Sequence, residues 1–69
     1  MLNMNETIRE RRRALGLTQQ QLADAVKVSR QTVNAIESGR FIPSTVLALK
    51  VAQLFGKPVE EVFTLEDDD

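Results

Sequence analysis

LTQQQLADAVKVSRQTVNAIESGR, residues 17–40, contains two helix starts of the same design. Thr18 opens the run T-Q-Q-Q, in which its hydroxyl and the Gln21 amide can satisfy each other's unpaired backbone donors, a capping box. Leu17 before the cap and Leu22 at the fourth helical position form a hydrophobic staple, and this helix ends near Val26. The arrangement recurs at once with Val28, the cap Ser29 and Val33 at the staple position. Two helices that begin at set angles and lie only about three residues apart form a helix-turn-helix connection, spanning about residues 18–38.

The flanking sequence supplies three more helices. Asn5 to about Leu15 is the first, with Ile8 and Leu15 on one face and Gly16 where a left-handed C-terminal cap falls. After Gly39, FIPS gives a turn and a new cap at Ser44. A fourth helix then runs to Phe55, with Leu47, Val51 and Leu54 inward, and Gly56 ends it. Pro58 starts a fifth, VEEVF, whose Val59, Val62 and Phe63 share a face. All five are amphipathic and nothing reads as a substantial strand. The expectation is one all-α domain over residues 1–65, followed by an acidic, disordered tail, EDDD, at 66–69.

Composition narrows the function. With 69 residues, only about 60% of the unfolded surface is buried on folding, so every apolar helix face is needed. The chain has no cysteine and no histidine. Disulfides, thiolate metal sites, Cys or His nucleophiles and imidazole bases are excluded, and no metal or cofactor is expected. An enzyme would have to work with carboxylates alone, and no two of them are placed in an evident cleft. No apolar run approaches the roughly 20 residues of a membrane span and no signal pattern opens the chain, so a cytoplasmic protein is expected. The net charge of −1 hides an asymmetry: residues 1–40 carry seven cations against four anions, and residues 41–69 carry two against six. An electrostatic footprint on nucleic acid needs a basic face, not a basic total.

On a helical wheel of about 100° per residue with Arg30 at zero, Val33, Ile36 and Thr32 fall at roughly 300°, 240° and 200° and make the buried edge. Arg30, Gln31, Asn34 and Ser38 fall between about 0° and 100° and form one outward strip. On an isolated helix such residues are most often ordinary solvated surface. At the start of the second helix of a helix-turn-helix they stand where base edges are read: Arg pairs bidentately with guanine, and Gln or Asn with adenine.

These residues resemble the phage-repressor and Cro-like (XRE-type) helix-turn-helix family, with its pattern L-[ST]-Q-x-x-L-A-x-x-x-G-V-S-x-x-x-[IV]-x-x-[IL]-E-x-G. The resemblance covers some two dozen residues closely, and the five-helix layout extends it over nearly the whole chain. It implies a lambda-repressor-like, five-helix domain that binds double-stranded DNA. It implies base contacts from Arg30, Gln31 and Asn34, and backbone contacts from Gln19, Thr18, Ser29 and Arg40. Gln19 also matches a residue that braces the recognition helix, and Arg12 and Glu37 match a structural ion pair. Of the run RERRR, Arg9 and Arg13 are further candidates for DNA contact, and Arg11 for laying its stem over the core. Two positions depart from the family. Lys27 stands where glycine is usual, so a non-glycine residue takes a left-handed conformation at a cost of about 1 kcal/mol, and Pro58 replaces a common serine cap.

The fourth and fifth helices are rich in apolar residues for one small core, which leaves two readings, full burial within the monomer or a surplus face. In this family such a surplus forms a twofold interface, with Leu49, Val59, Val62, Phe63 and Leu65 as candidates. The resemblance to small regulators of this family also implies that residues 2–4 pair as a minor strand with residues 63–65. The reading is a homodimeric, sequence-specific transcription regulator, a repressor on an inverted-repeat operator. The alternative is an antitoxin-like interaction subunit whose apolar second half docks on another protein.

Overall fold

The computed structural model describes residues 2–3 and 5–65, with side-chain surroundings for residues 8–63. In chain order the elements are β1 (Leu2–Asn3), α1 (Asn5–Ala14), α2 (Gln19–Val26), α3 (Arg30–Glu37), α4 (Thr45–Phe55), α5 (Val59–Val62) and β2 (Thr64–Leu65). β1 and β2 pair antiparallel, Leu2 opposite Leu65 and Asn3 opposite Thr64, so the two ends of an otherwise helical domain are tied together. Among the described residues no helix is long and apolar enough to cross a membrane. Met4 and the expected acidic tail, residues 66–69, lie outside the described residues.

The helix starts follow the local chemistry. Thr18 Oγ1 accepts the Gln21 N–H at 3.0 Å while Gln21 Oε1 accepts the Thr18 N–H at 2.8 Å, completing the capping box. Ser29 and Ser44 cap α3 and α4 by accepting the N–H of Thr32 at 3.1 Å and of Leu47 at 3.2 Å. The helix ends share one device too. α1 to α4 each reverse through a left-handed residue: Gly16, Lys27, Gly39 and Gly56. In each reversal the following N–H returns five residues, Leu17 to Arg12, Val28 to Ala23, Arg40 to Ala35 and Lys57 to Ala52, at 2.8–3.1 Å, which satisfies an otherwise unpaired carbonyl.

Lys27, at φ 62°, is the one non-glycine residue in a left-handed conformation among the described residues. Its side chain is exposed and fills no part of the core. Lys27→Gly is therefore expected to stabilise the protein by about 1 kcal/mol, raising Tm by about 4–8 °C in a thermal melt. An unchanged or lowered Tm would show that the turn carries no strain.

The core gathers one face from every helix: Ile8 of α1, Leu22, Ala23 and Val26 of α2, Val33 and Ile36 of α3, Leu47, Val51 and Ala52 of α4, and Val62 with Phe63 at the end of α5. Four expectations are corrected. Leu15 is exposed because α1 closes at Ala14 and Leu15 falls in the reversing turn, out of the Ile8 stripe. Leu54 is also exposed: the buried face of α4 is centred near Val51, Ala48 and Phe55, and Leu54 sits about 90° from that centre. Val62 and Phe63, expected at a twofold interface, are 0% and 8% accessible and belong to the monomer core. The short α5 turns them inward, and Val59 joins them at the core edge. Leu49 stays outside, 52% accessible, beside Val46 at 63% one turn earlier on the same face of α4.

Candidate nucleic-acid interface

The first turn of α3 presents Arg30 and Gln31 outward, both exposed, while Val33 and Ile36 pin the opposite face to the core. The capped start of α2 contributes Thr18 and Gln19, and Ser29 caps α3, so Thr18 and Ser29 both stand at exposed helix starts. The Thr18 oxygen accepts its cap bond, which leaves the hydroxyl hydrogen to donate outward. Ser29 and Thr32 share a hydroxyl contact at 3.0 Å.

Behind this surface lies Glu37, 1% accessible. Arg12 grips its carboxylate with a two-pronged fork, Nε to Oε2 at 2.7 Å and Nη2 to Oε1 at 3.0 Å, and its third nitrogen, Nη1, donates to the Leu17 carbonyl at 2.9 Å. Arg9 adds Nη2 to the Glu37 backbone carbonyl at 3.3 Å and brings its Nε within 3.6 Å of Oε1. Gln19 Nε2 donates to Oε1 at 3.2 Å. Burial alone pushes the Glu37 carboxyl up. The hydrogen bonds from Arg12 and Gln19 and the charges of Arg12 and Arg9 outweigh it and hold the group below the ordinary carboxylate range. The Arg12–Glu37 pair thus clamps α1 to the last turn of α3 and, through Gln19, to the first turn of α2.

The chain of contacts continues outward. Asn34 Nδ2 donates to Gln19 Oε1 at 3.4 Å, and Asn34 Oδ1 accepts from Arg40 Nη2 at 2.9 Å. Asn34, expected beside Arg30 and Gln31 as a base reader, is half-buried, and each end of its amide meets another side chain, Gln19 on the inner side and Arg40 at the surface. Arg40 lies exposed just past the Gly39 reversal. Arg9 and Arg13, expected as candidates for DNA contact, are both exposed, and Arg9 is drawn toward Glu37. Arg11 is half-buried beside a shallow hollow formed with Ala14, Leu15, Phe55 and Lys57. The Asn34–Arg40 link had no signal in helical periodicity, because Arg40 lies beyond the reversal that ends α3. Among the described residues Asp and Glu nowhere gather in a group able to hold a metal ion.

A tight pair of capped helices, the second offering an exposed arginine and glutamine in its first turn, defines a helix-turn-helix protein. The helix-turn-helix family model matches residues 8–62, and the chain belongs to that XRE-type family of DNA-binding transcription regulators. It is 47% identical over 66 residues to an uncharacterized HTH-type transcriptional regulator of Methanothermobacter thermautotrophicus, covering 94% of this chain and 96% of that protein. It is 42% identical over 66 residues to the uncharacterized HTH-type transcriptional regulator YgzD of Bacillus subtilis, covering 96% of this chain and all of YgzD. Among solved structures it is similar to the restriction-modification controller protein C.AhdI of Aeromonas hydrophila, with a TM-score of 0.79 and 34% identity over 86% of this chain and 89% of C.AhdI.

Proposed function

We propose that the protein is a homodimeric repressor that reads an inverted-repeat operator with Arg30 and Gln31 and blocks promoter access by occupying it. The observation that carries the reading is the first turn of α3: two side chains able to pair bidentately with bases stand exposed on a helix held rigidly by the Ser29 cap, the core and the Glu37 clamp. Thr18, Ser29 and Arg40 surround them at positions suited to phosphates, and Gln19, whose amide is held by Glu37 and Asn34, retains one N–H on Nε2 for such a contact. The exposed Val46 and Leu49 on α4 support twofold pairing, since two large apolar side chains one turn apart otherwise face water. Such a dimer would set two copies of α3 about 34 Å apart, one turn of DNA.

Selection of the purified protein against randomised duplexes at about 150 mM salt tests the reading. Enrichment of an inverted repeat with half-sites about one helical turn apart is the expected result. If the folded protein enriches nothing, the face around Leu49 serves a different partner protein and the antitoxin-like reading replaces this one. With an operator in hand, Arg30→Ala or Gln31→Ala is expected to cost about 1–3 kcal/mol in specific binding and to relax the preference at one base position. Equal losses on every sequence would remove that residue from base readout.

A further inference from the structure

The hydrogen bonds leading away from Glu37 all run in one direction. A carboxylate accepts and cannot donate, so Gln19 must turn its amide nitrogen toward Glu37 and its carbonyl oxygen outward. That oxygen takes the Asn34 amide N–H, which leaves Asn34 Oδ1 as the outward acceptor. Arg40, whose guanidinium can only donate, closes the chain on that oxygen. The backbone carbonyl of Asn34 is held as well, by the hydroxyl of Ser38. Each link is oriented by the one before it, starting from a buried anion. An asparagine that reads adenine must offer both ends of its amide to the base, whereas each end of the Asn34 amide already has a side-chain partner, Gln19 on one side and Arg40 on the other, that aims it away from that geometry.

We infer that Asn34 is a positioning residue: it holds the Arg40 guanidinium at the C-terminal end of α3, ready for a DNA phosphate, and does not itself read a base. The inference rests on the DNA-binding reading above. Arg40 would otherwise be a long exposed side chain sampling many rotamers, much of whose freedom would be lost on binding. The contact to Asn34 removes part of that freedom beforehand and uses one of the five guanidinium N–H donors, leaving others for phosphate oxygens. Through Gln19 the same contact ties the placement of Arg40 to the ion pair that sets the angle of α3.

The test compares wild type, Asn34→Ala, Arg40→Ala and the double variant on the selected operator and on an unrelated duplex of equal length, each over a range of salt. Alanine favours the helical state, so Asn34→Ala is expected to keep the fold. It should weaken binding to both duplexes by about three- to tenfold. The salt slope should flatten by up to about 1, as it does in Arg40→Ala. Base preference should be unchanged, and Asn34→Ala should add little in the Arg40→Ala background. Loss of preference at a single base pair would make Asn34 a reader and overturn the inference, as would fully additive effects in the double variant. A DNA-free readout separates this inference from the reading beneath it. Nitrogen-15 relaxation of the Arg40 Nε–H should show lower order in Asn34→Ala while the Arg12 Nε–H is unaffected. Unchanged Arg40 order overturns the inference, whereas a wild-type protein that holds Arg40 in order but binds no duplex overturns the DNA-binding reading.

Discussion

Glu37→Ala is expected to remove about half of the protein's folding stability. The change strands the Arg12 guanidinium in a site where it is 8% accessible, with its fork partner gone. Breaking a buried pair on one side costs about 3–5 kcal/mol. A domain of this size has a total stability of only roughly 3–10 kcal/mol, so one substitution consumes much of it. Circular dichroism melts and urea midpoints measure the loss. A control separates charge from packing: replacing both partners with apolar residues, Arg12→Met with Glu37→Leu, should recover much of what the single change loses, because no unpaired charge remains. A double variant as unstable as Glu37→Ala would show that the loss comes from the missing hydrogen bonds of the pair and not from a stranded charge.

The same pair predicts an acid limit. The folded-state carboxyl of Glu37 lies below its ordinary value of 4.5. Its contribution is therefore complete above that value and is lost as pH falls through the lower folded-state pKa, because the unfolded chain then binds the proton more readily. Glu37→Gln should flatten the fall in stability below about pH 4.5 relative to wild type. An identical acid profile in the two proteins would mean that other carboxylates set the limit.

The second large effect distinguishes core from interface at the end of the chain. Phe63→Asp puts a carboxylate into a packed site and removes an aromatic ring that is 8% accessible. The loss is expected to exceed about 3 kcal/mol, lowering the melt to the same extent at any protein concentration. Leu49→Asp, on the exposed face of α4, should leave the melt nearly intact and, for the proposed dimer, halve the mass measured by analytical ultracentrifugation. Should Phe63→Asp melt like wild type and only lose oligomeric mass, α5 would have to sit away from the core. A Leu49→Asp protein that still forms the wild-type oligomer would remove Val46 and Leu49 from the interface.

These contrasts mark how far the sequence can be read. Thr18 with Gln21, Ser29 with Thr32 and Ser44 with Leu47 are contacts between residues three apart, so the identity of those residues settles where each helix begins. Gly16, Gly39 and Gly56 mark the reversals for a similar reason: a left-handed residue is a local requirement, and Lys27 is legible as the exception. Five amphipathic helices with a tight turn between the second and third follow from such signals. The Arg12–Glu37 pair, 25 residues apart, was legible only through the family pattern, not through any local rule.

Periodicity and local capping therefore determined the helices and the outward placement of Arg30 and Gln31 on α3. Three-dimensional packing decided which apolar residues were left over. Burial of Phe63 and Val62, exposure of Leu54 and Leu49, and the capture of Asn34 between Gln19 and Arg40 all depend on how helices distant in sequence are set against one another. Capping is short-ranged and is written in adjacent residues. Burial and the direction of a hydrogen-bond chain are sums over neighbours from the whole fold, and they exist only once those neighbours have been brought together.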